Sequence, residues 1–522
     1  MAEHIYEKSD LIKKFDNILC CTLEQIDNCD FFKRIQSYSL QKGVAGSLIE
    51  RCVLGYNSDP KQEADLVVID ENEPKKIELK TTGMVIVDKF EKHFVAKEPM
   101  SITAVGIYDI ANQKFETSHF WEKLEHMLIV YYHYLSKHTV KAYDYRVFPI
   151  IGYEFHEFDD IEIEALRQDW ENVRALVERV VLHHPGPRTK EWKEVVKQEY
   201  IEVHGELRRV LSYIDLAPKF PPRFRLKKTI VSNMIAKHFG YSLEQLPGKY
   251  VAISDIDIKC HELTTKYKNH TVGELADRFG IPKLTVKDSE NKAISEQITV
   301  AMFGGTSKKL NQIELFEKFG LIGKTIVMTA LGGRTEDMKL FHIDFEEIMR
   351  TEVIEDGKMR NIQFEDSDLY AYFADHEFLC IIYEEPKLEI ESKDEKTLFN
   401  VHKPLIKNRF IGFKRLVFSD KFIGTIVKKL WEDIREKVMK HTLEDIVQYK
   451  KDGTVVRLKN GEISSAPNFL KSKDNAVFVR GSGVDSSLKN KTEYVNGIHM
   501  LPQYVWIKGS AVVEELRKLP LL

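Results

Sequence analysis

No apolar run in the 522-residue chain is long enough to cross a bilayer, which excludes a helical membrane span. The first ten residues, Met1 to Asp10, lack the apolar stretch of a secretory signal, and the expected location is cytoplasmic. Cysteine is scarce. The six present (Cys20, Cys21, Cys29, Cys52, Cys260 and Cys380) form no CxxC pair and have no histidine at zinc-finger spacing, which speaks against a disulfide framework or structural zinc. Low-complexity segments are missing, and so is an excess of positive charge. With a net charge of −4, any hold on nucleic acid must come from local clusters. Two qualify by composition: Arg223-Phe-Arg-Leu-Lys-Lys228, and the stretch from His402 to Lys429.

What is present is an ordinary globular composition, 43% hydrophobic and 30% charged, in a chain longer than one core usually grows. Two regions share an ordered set of features. Thr22-Leu-Glu-Gln-Ile matches Thr271-Val-Gly-Glu-Leu, each reading as an N-capped helix start. Gln41 to Glu50 matches Asn291 to Val300, both helical by periodicity and each followed by a glycine. Arg167-Gln-Asp-Trp170 matches the helix around Trp431, each tryptophan being expected in a core. Glu202-Val-His204-Gly205 is paired with Phe478-Val-Arg480-Gly481, and Phe224 to Lys228 with Val505-Trp-Ile-Lys508. The expected organisation is a mixed α/β (α+β) fold in two tandem diverged units, residues 1–240 and 270–522, joined by a connector over 241–269 that contains a Leu-Pro-Gly break.

The most informative segment runs from Ala64 to Thr82. Two apolar runs, Leu66 to Ile69 and Ile77 to Leu79, flank a polar turn with Asn72 and Pro74 and predict a hairpin. Alternation along a strand puts Glu78 and Lys80 on one face. Folding about Asn72 and Glu73 sets Asp65 across from Lys80. Two carboxylates and an ammonium then converge, a set suited to holding Mg²⁺ through Asp65 and Glu78 while Lys80 orients a water for attack on a phosphodiester. In a chain this charged, surface ion pairs produce the same pattern. Glu50, on a helix just before the hairpin, adds a third carboxylate.

Four blocks resemble the MutH family of GATC-specific nicking and restriction endonucleases: Lys42 to Glu50, Ile77-Glu-Leu-Lys-Thr81, Phe115-Glu-Thr-Ser-His-Phe-Trp-Glu-Lys-Leu124, and Phe224 to Lys228. The repeat and the length resemble its two-lobed type II restriction branch. The resemblance implies a restriction-endonuclease-like fold. It also implies a catalytic set of Glu50, Asp65, Glu78, Lys80 and Lys123, Mg²⁺ as cofactor, and cleavage of double-stranded DNA at GATC or a related short site to leave 5′-phosphate ends. Lys42, beside a glycine at a helix start, suits a phosphate contact. Arg223, Arg225, Lys227, Lys228 and Lys508 are further expected DNA contacts. The family's groove-reading arginine falls on Arg480, with His204 in its place in the first unit, where an imidazole cannot make the guanidinium fork.

Aligning the units on sequence puts Val300 opposite Glu50, Val327 opposite Glu78, Thr329 opposite Lys80, Phe373 near Lys123, and Glu314 near Asp65. The second unit is therefore expected to bind DNA without cutting it, giving two DNA sites per active complex, with a DNA-induced dimer as a further expectation. The alternatives are a mismatch-repair nickase and a non-cutting DNA-binding regulator.

Overall fold

A computed structural model describes residues 4–35, 43–56, 65–71, 73–88, 93–136, 140–217, 221–241, 243–329, 332–333, 336–349, 351–353, 359–386, 404–450 and 452–522. Lys42, Asn72 and His402 lie outside them. The fold is mixed α/β, as expected. In the first half the strands are β1 (Ile5–Glu7), β2 (Leu66–Asp70), β3 (Glu73–Asp88), β4 (His93–Ala96), β5 (Met100–Ala104), β6 (Met127–His133), β7 (Ile150–His156), β8 (Ile214–Leu216) and β9 (Arg223–Leu226). The main sheet has the order β1-β2-β3-β6-β7, and β4 pairs with the far end of β3. β3 and β6 are central and parallel. Met127 to Tyr132 are all buried, which is why that stretch reads as one continuous apolar run rather than an alternation. A smaller antiparallel sheet, β5-β9-β8, lies alongside.

Part of this arrangement recurs in the second half, whose strands include β10 (Leu321–Met328), β11 (Met338–His342), β12 (Thr351–Val353), β13 (Met359–Asn361), β14 (Glu377–Glu384) and β15 (Arg409–Leu416), with a three-stranded sheet in the order β10-β14-β15. β10 runs parallel to β14, and β14 antiparallel to β15. The β6–β7 ladder has a bulge at Tyr131/Tyr132, and the β14–β15 ladder has its own at Ile382/Tyr383. Cys20 N–H bonds to the Ile150 carbonyl and Ile150 N–H to that of Cys21, while Asn269, Phe410 and His270 make the same pair of bonds. Cys20 and Asn269 both adopt the left-handed region, at φ 64° and 69°. Ser118 caps the helix His119–Glu122 and bonds back to the Phe115 carbonyl, as Ser367 does with Phe364 ahead of Asp368–Asp375. Trp170 and Trp431 are both buried, each against the phenylalanine of its own block. The Thr22 segment departs from the expected helix start: Thr22 and Gln25 exchange capping bonds, but only a turn follows, whereas Thr271 caps the helix Val272–Phe279.

The segment read as a connector is mostly structured. Its helix Ile253–Tyr267 packs on β15 much as Lys8–Asp16 meets β7 through Phe15 and Tyr153, so it works as the first helix of the second half. Each half has an apolar cluster of its own, Leu11 to Ile150 in the first and Ile326 to Leu516 in the second, but a third is shared. One core cluster runs from Met84 through Ile230 and Ile235 to Leu315, Phe316, Phe319 and Phe413. Arg415 ties the seam, bonding Asp257 at 2.7 Å, Glu377 at 2.6 Å and the Arg209 carbonyl at 3.0 Å.

Candidate active site

The β2–β3 hairpin closes more tightly than the sequence suggested. Asp70 pairs with Glu73, leaving positions 71 and 72 as the connection, and Glu71 takes φ 51°, the left-handed conformation such turns require. Leu66 then faces Ile77, so continuing the register places Asp65 opposite Glu78 rather than Lys80. The acids thereby come closer together than expected. Asp65 is anchored by the Leu79 N–H, which donates to its Oδ2 at 3.0 Å.

Glu78 is the centre of the cluster. It is 4% exposed, and each of its oxygens accepts from a different ammonium: Lys80 Nζ at 2.7 Å on Oε1 and Lys123 Nζ at 2.8 Å on Oε2. Lys80 arrives by strand alternation. Lys123 arrives because β6 runs parallel to β3 with Met127 beside Glu78, so the turn after the Ser118-capped helix ends over the site. Burial and the neighbouring Glu78 charge push the Asp65 carboxyl up to about 6, against the pull of the Leu79 N–H, Lys123 and Lys80.

Glu50 sits in a π-helical stretch, Ile49–Leu54, that continues Val44–Leu48 and ends at Gly55 with φ 88°. It joins the cluster through Tyr56, a residue the sequence reasoning missed. The Tyr56 phenol is raised well above its ordinary range by burial and by the charges of Glu50, Asp65 and Glu78. Its hydroxyl is buried without a hydrogen-bond partner among the described residues, and its ring stacks on His4 at 3.9 Å. Only its place six positions after Glu50 and just past the helix-ending glycine could have pointed to it.

The chemistry of the donor set fits a hard divalent cation. Two adjacent carboxylates, Glu78 buried and Asp65 half-buried, the latter held above its normal pKa by desolvation and then by the former, are relieved by positive charge, and their oxygens are the ligands such ions prefer. Asp65 and Glu78 would hold the ion. A separate grouping, Asp27, Cys29 and Cys52, has ligand atoms within 4.8 Å of one another, but Asp27 already accepts backbone N–H bonds from Cys29, Phe31 and Phe32.

The equivalent place in the second half differs. Matching the two bulges aligns Met127 with Phe378, which brings Ile322 to the position of Glu78 and Lys324 to that of Lys80, in place of Val327 and Thr329. The lysine is therefore kept and the acid is lost. Val300 does match Glu50: Gly305 N–H returns to the Val300 carbonyl as Gly55 N–H does to Glu50. The shared Phe-x-x-Ser block puts Tyr372, next to Phe373, at the position of Lys123. Glu314 begins the helix Glu314–Lys318 and bonds Asn233 of the first half, so it is no counterpart of Asp65.

The expected DNA contacts divide. Arg223 is exposed and reaches Ser101, and Lys508 is exposed at the start of Gly509–Arg517. Arg225, Lys227 and Lys228 lie instead on the seam between halves. Arg225 pairs with Asp215 at 2.7 Å, Lys227 donates to the Leu211 carbonyl at 2.6 Å, and Arg225 and Lys228 both act on the buried Asp375. In the His402–Lys429 stretch, Lys414 is likewise spent on the Leu516 and Leu519 carbonyls. Arg480 is on the strand Val477–Gly481, half-exposed, paired with Asp337 at 2.6 Å and lying over Trp506. His204 is not its counterpart. It sits in a turn after the helix Lys190–Val203, whereas Ile214 against Leu226 and Val477 against Ile507 share one register, placing Ala217 where Arg480 stands.

Comparison with known proteins agrees with this geometry. The family model for the DNA mismatch repair enzyme MutH matches residues 54–169, a span holding Asp65, Glu78, Lys80 and Lys123. The chain is also 21% identical over 449 residues to the type II restriction enzyme Sau3AI of Staphylococcus aureus, covering 82% of this chain and 84% of that protein. The family-model match lies across the strands that gather the acids and lysines, and in that span the chain is similar to the MutH endonucleases.

Proposed function

We propose that the protein is a type II restriction endonuclease that hydrolyses double-stranded DNA with Mg²⁺, at GATC or a related short site, and leaves 5′-phosphate ends. The observation that carries this reading is Glu78, buried, gripped by Lys80 and Lys123, and facing Asp65. When bound by Asp65 and Glu78, the ion supplies Lewis-acid stabilisation of the phosphoryl oxygens. Lys80 orients the attacking water and stabilises charge that develops on the phosphorus oxygens. Lys123 holds Glu78 in place and adds a second positive charge beside the scissile phosphate. Glu50 and Tyr56 close the far side, where the buried phenol can donate to a carboxylate or to the water.

The second half is a degenerate copy that binds a second DNA site without cutting. Ile322, Val300 and Tyr372 stand where the acids and Lys123 would be, and Lys324 alone cannot hold a divalent cation. The similarity to a restriction enzyme over 82% of the chain favours this reading over a repair nickase, which would not need a second half.

The test uses the purified full-length chain and supercoiled plasmid. Mg²⁺ should give linear DNA and then fragments, and Ca²⁺ should support binding without cleavage. Lys80→Ala should lower turnover by at least about 10²-fold. Nicked circles alone would favour the nickase, binding without cleavage in either ion would favour a regulator, and an unimpaired Lys80→Ala would refute the site. Sequencing the ends gives the recognition site.

A further inference from the structure

The second half contains a cavity built on a long excursion between two paired strands. In the first half β8 and β9 are joined by residues 217–222, whereas the matching strands Val477–Gly481 and Gln503–Ile507 are separated by residues 482–502. That excursion, with the hairpin Asp445–Val447 and Ser465–Pro467, encloses a cavity of about 290 Å³. Its size is near the lower end for small-ligand sites, roughly 300 Å³.

The lining is chemically one-sided. Lys471, Arg480 and Lys491 contribute to it together with Ser464, Ser465 and Ser472, and no aspartate or glutamate lines it among the described residues. In a chain of net charge −4 that is a local reversal of sign. Two of the cations are partly answered from behind: Lys491 by Asp445 at 2.8 Å and Arg480 by Asp337 at 2.6 Å. Lys471 is different. Among the described residues no ion pair holds its ammonium, and burial together with the charges of Lys437 and Arg480, only partly offset by Asp433 and Asp474, presses its pKa down to about 8. An anion in the cavity would relieve that strain. A second unmet demand lies beside it: Gln503 is 1% exposed, its amide nitrogen donates to the Leu501 carbonyl, and its Oε1 has no partner among the described residues. The fitting ligand thus carries an anion and an N–H donor together.

We propose that this cavity takes up one nucleotide of a DNA strand bound by the second half, with the phosphate on Lys471, Arg480 and the serine hydroxyls and a base N–H on Gln503. This rests on the reading that the second half binds DNA, and it assigns that binding to a specific site. Phosphate neutralisation gives affinity and a salt dependence, and an amide facing a base edge gives selectivity.

The experiment measures fluorescence anisotropy of labelled duplex on the full-length protein in Ca²⁺, titrated through the first and second equivalents at several salt concentrations. Lys471→Gln should weaken the second equivalent by about tenfold and lower its salt slope by about one, leaving the first equivalent unchanged. Lys471→Arg should restore both. Because the Lys471 ammonium is not in an ion pair, the melting temperature of Lys471→Gln should equal or exceed that of the wild type. Inorganic phosphate and deoxyadenosine monophosphate at millimolar level serve as the free-ligand arm. If either raises the melting temperature of the wild type while Lys471→Gln binds both duplexes normally, the site serves a free ligand and the strand assignment is overturned. If Lys471→Gln binds both duplexes normally and neither free ligand acts, the cavity proposal fails while the DNA reading of the second half stands. If the wild type binds only one equivalent, that reading falls and the proposal falls with it.

Discussion

Replacing Asp65 by asparagine should stabilise the metal-free protein while abolishing cleavage. Burial and Glu78 raise the Asp65 carboxyl from its ordinary 3.8 to about 6, so in that interval the folded chain binds more protons than the unfolded one. Stability therefore falls as pH rises from about 4 to about 6 and stays lower at neutral pH. A shift of about two units corresponds to about 3 kcal/mol of penalty carried by the ionised carboxylate. Asparagine keeps an oxygen for the Leu79 N–H and carries no charge, so most of that penalty should be recovered. With an unfolding entropy of about 1 kcal/mol/K for a chain of this length, the melting temperature should rise by about 3 °C at pH 8. Calorimetry without divalent ions, at pH 5 and pH 8, reads the effect, and the difference from wild type should shrink at the lower pH. Saturating Mg²⁺ should stabilise the wild type but not Asp65→Asn. A variant less stable than wild type at pH 8 in the absence of metal, or one that still cuts plasmid, would refute the reasoning.

Removing Lys123 with alanine takes away one of the two ammonium partners of Glu78 and should slow single-turnover cleavage by about 10²-fold, with the far-ultraviolet circular dichroism spectrum unchanged. Arg415→Ala leaves the buried Glu377 and the half-buried Asp257 without their cation and should cost about 3 kcal/mol, read by urea denaturation. A chain ending at Gly240 uncovers Ile230, Met234 and Ile235, which share a core with Leu315 and Phe316, and it should lose its near-ultraviolet signal and aggregate. A soluble, cooperatively folding fragment would show that the halves are independent.

The hairpin, the face shared by Glu78 and Lys80, and the Phe115–Leu124 block were legible in the sequence because each is set by local alternation or by a contiguous motif. The pairing of Asp65 was misjudged because register depends on turn length, and moving the turn by one residue changes which side chains oppose each other. Lys324 was not legible for a related reason: the sequences of β10 and β3 share no motif that fixes their alignment, and the paired bulges supply it. The basic run from Arg225 to Lys228 looked like a phosphate track because composition does not reveal a carboxylate such as Asp375, far along the chain, that a lysine will face. His204 was matched to Arg480 on a short shared string, although one lies in a turn and the other on a strand. Tyr56 carries no motif at all, and its importance comes from the three acids gathered around its hydroxyl.

The continuous interior has a consequence for how such a protein can change over generations. Because Met84 and Phe413 belong to one apolar cluster, a gene that lost its downstream portion would encode a chain with part of that cluster uncovered, so packing ties the two portions together whatever the chemistry of each. A portion kept in this way is raw material for new roles, and the segments over residues 445–467 and 482–502, which build the cavity, are where one has room to grow.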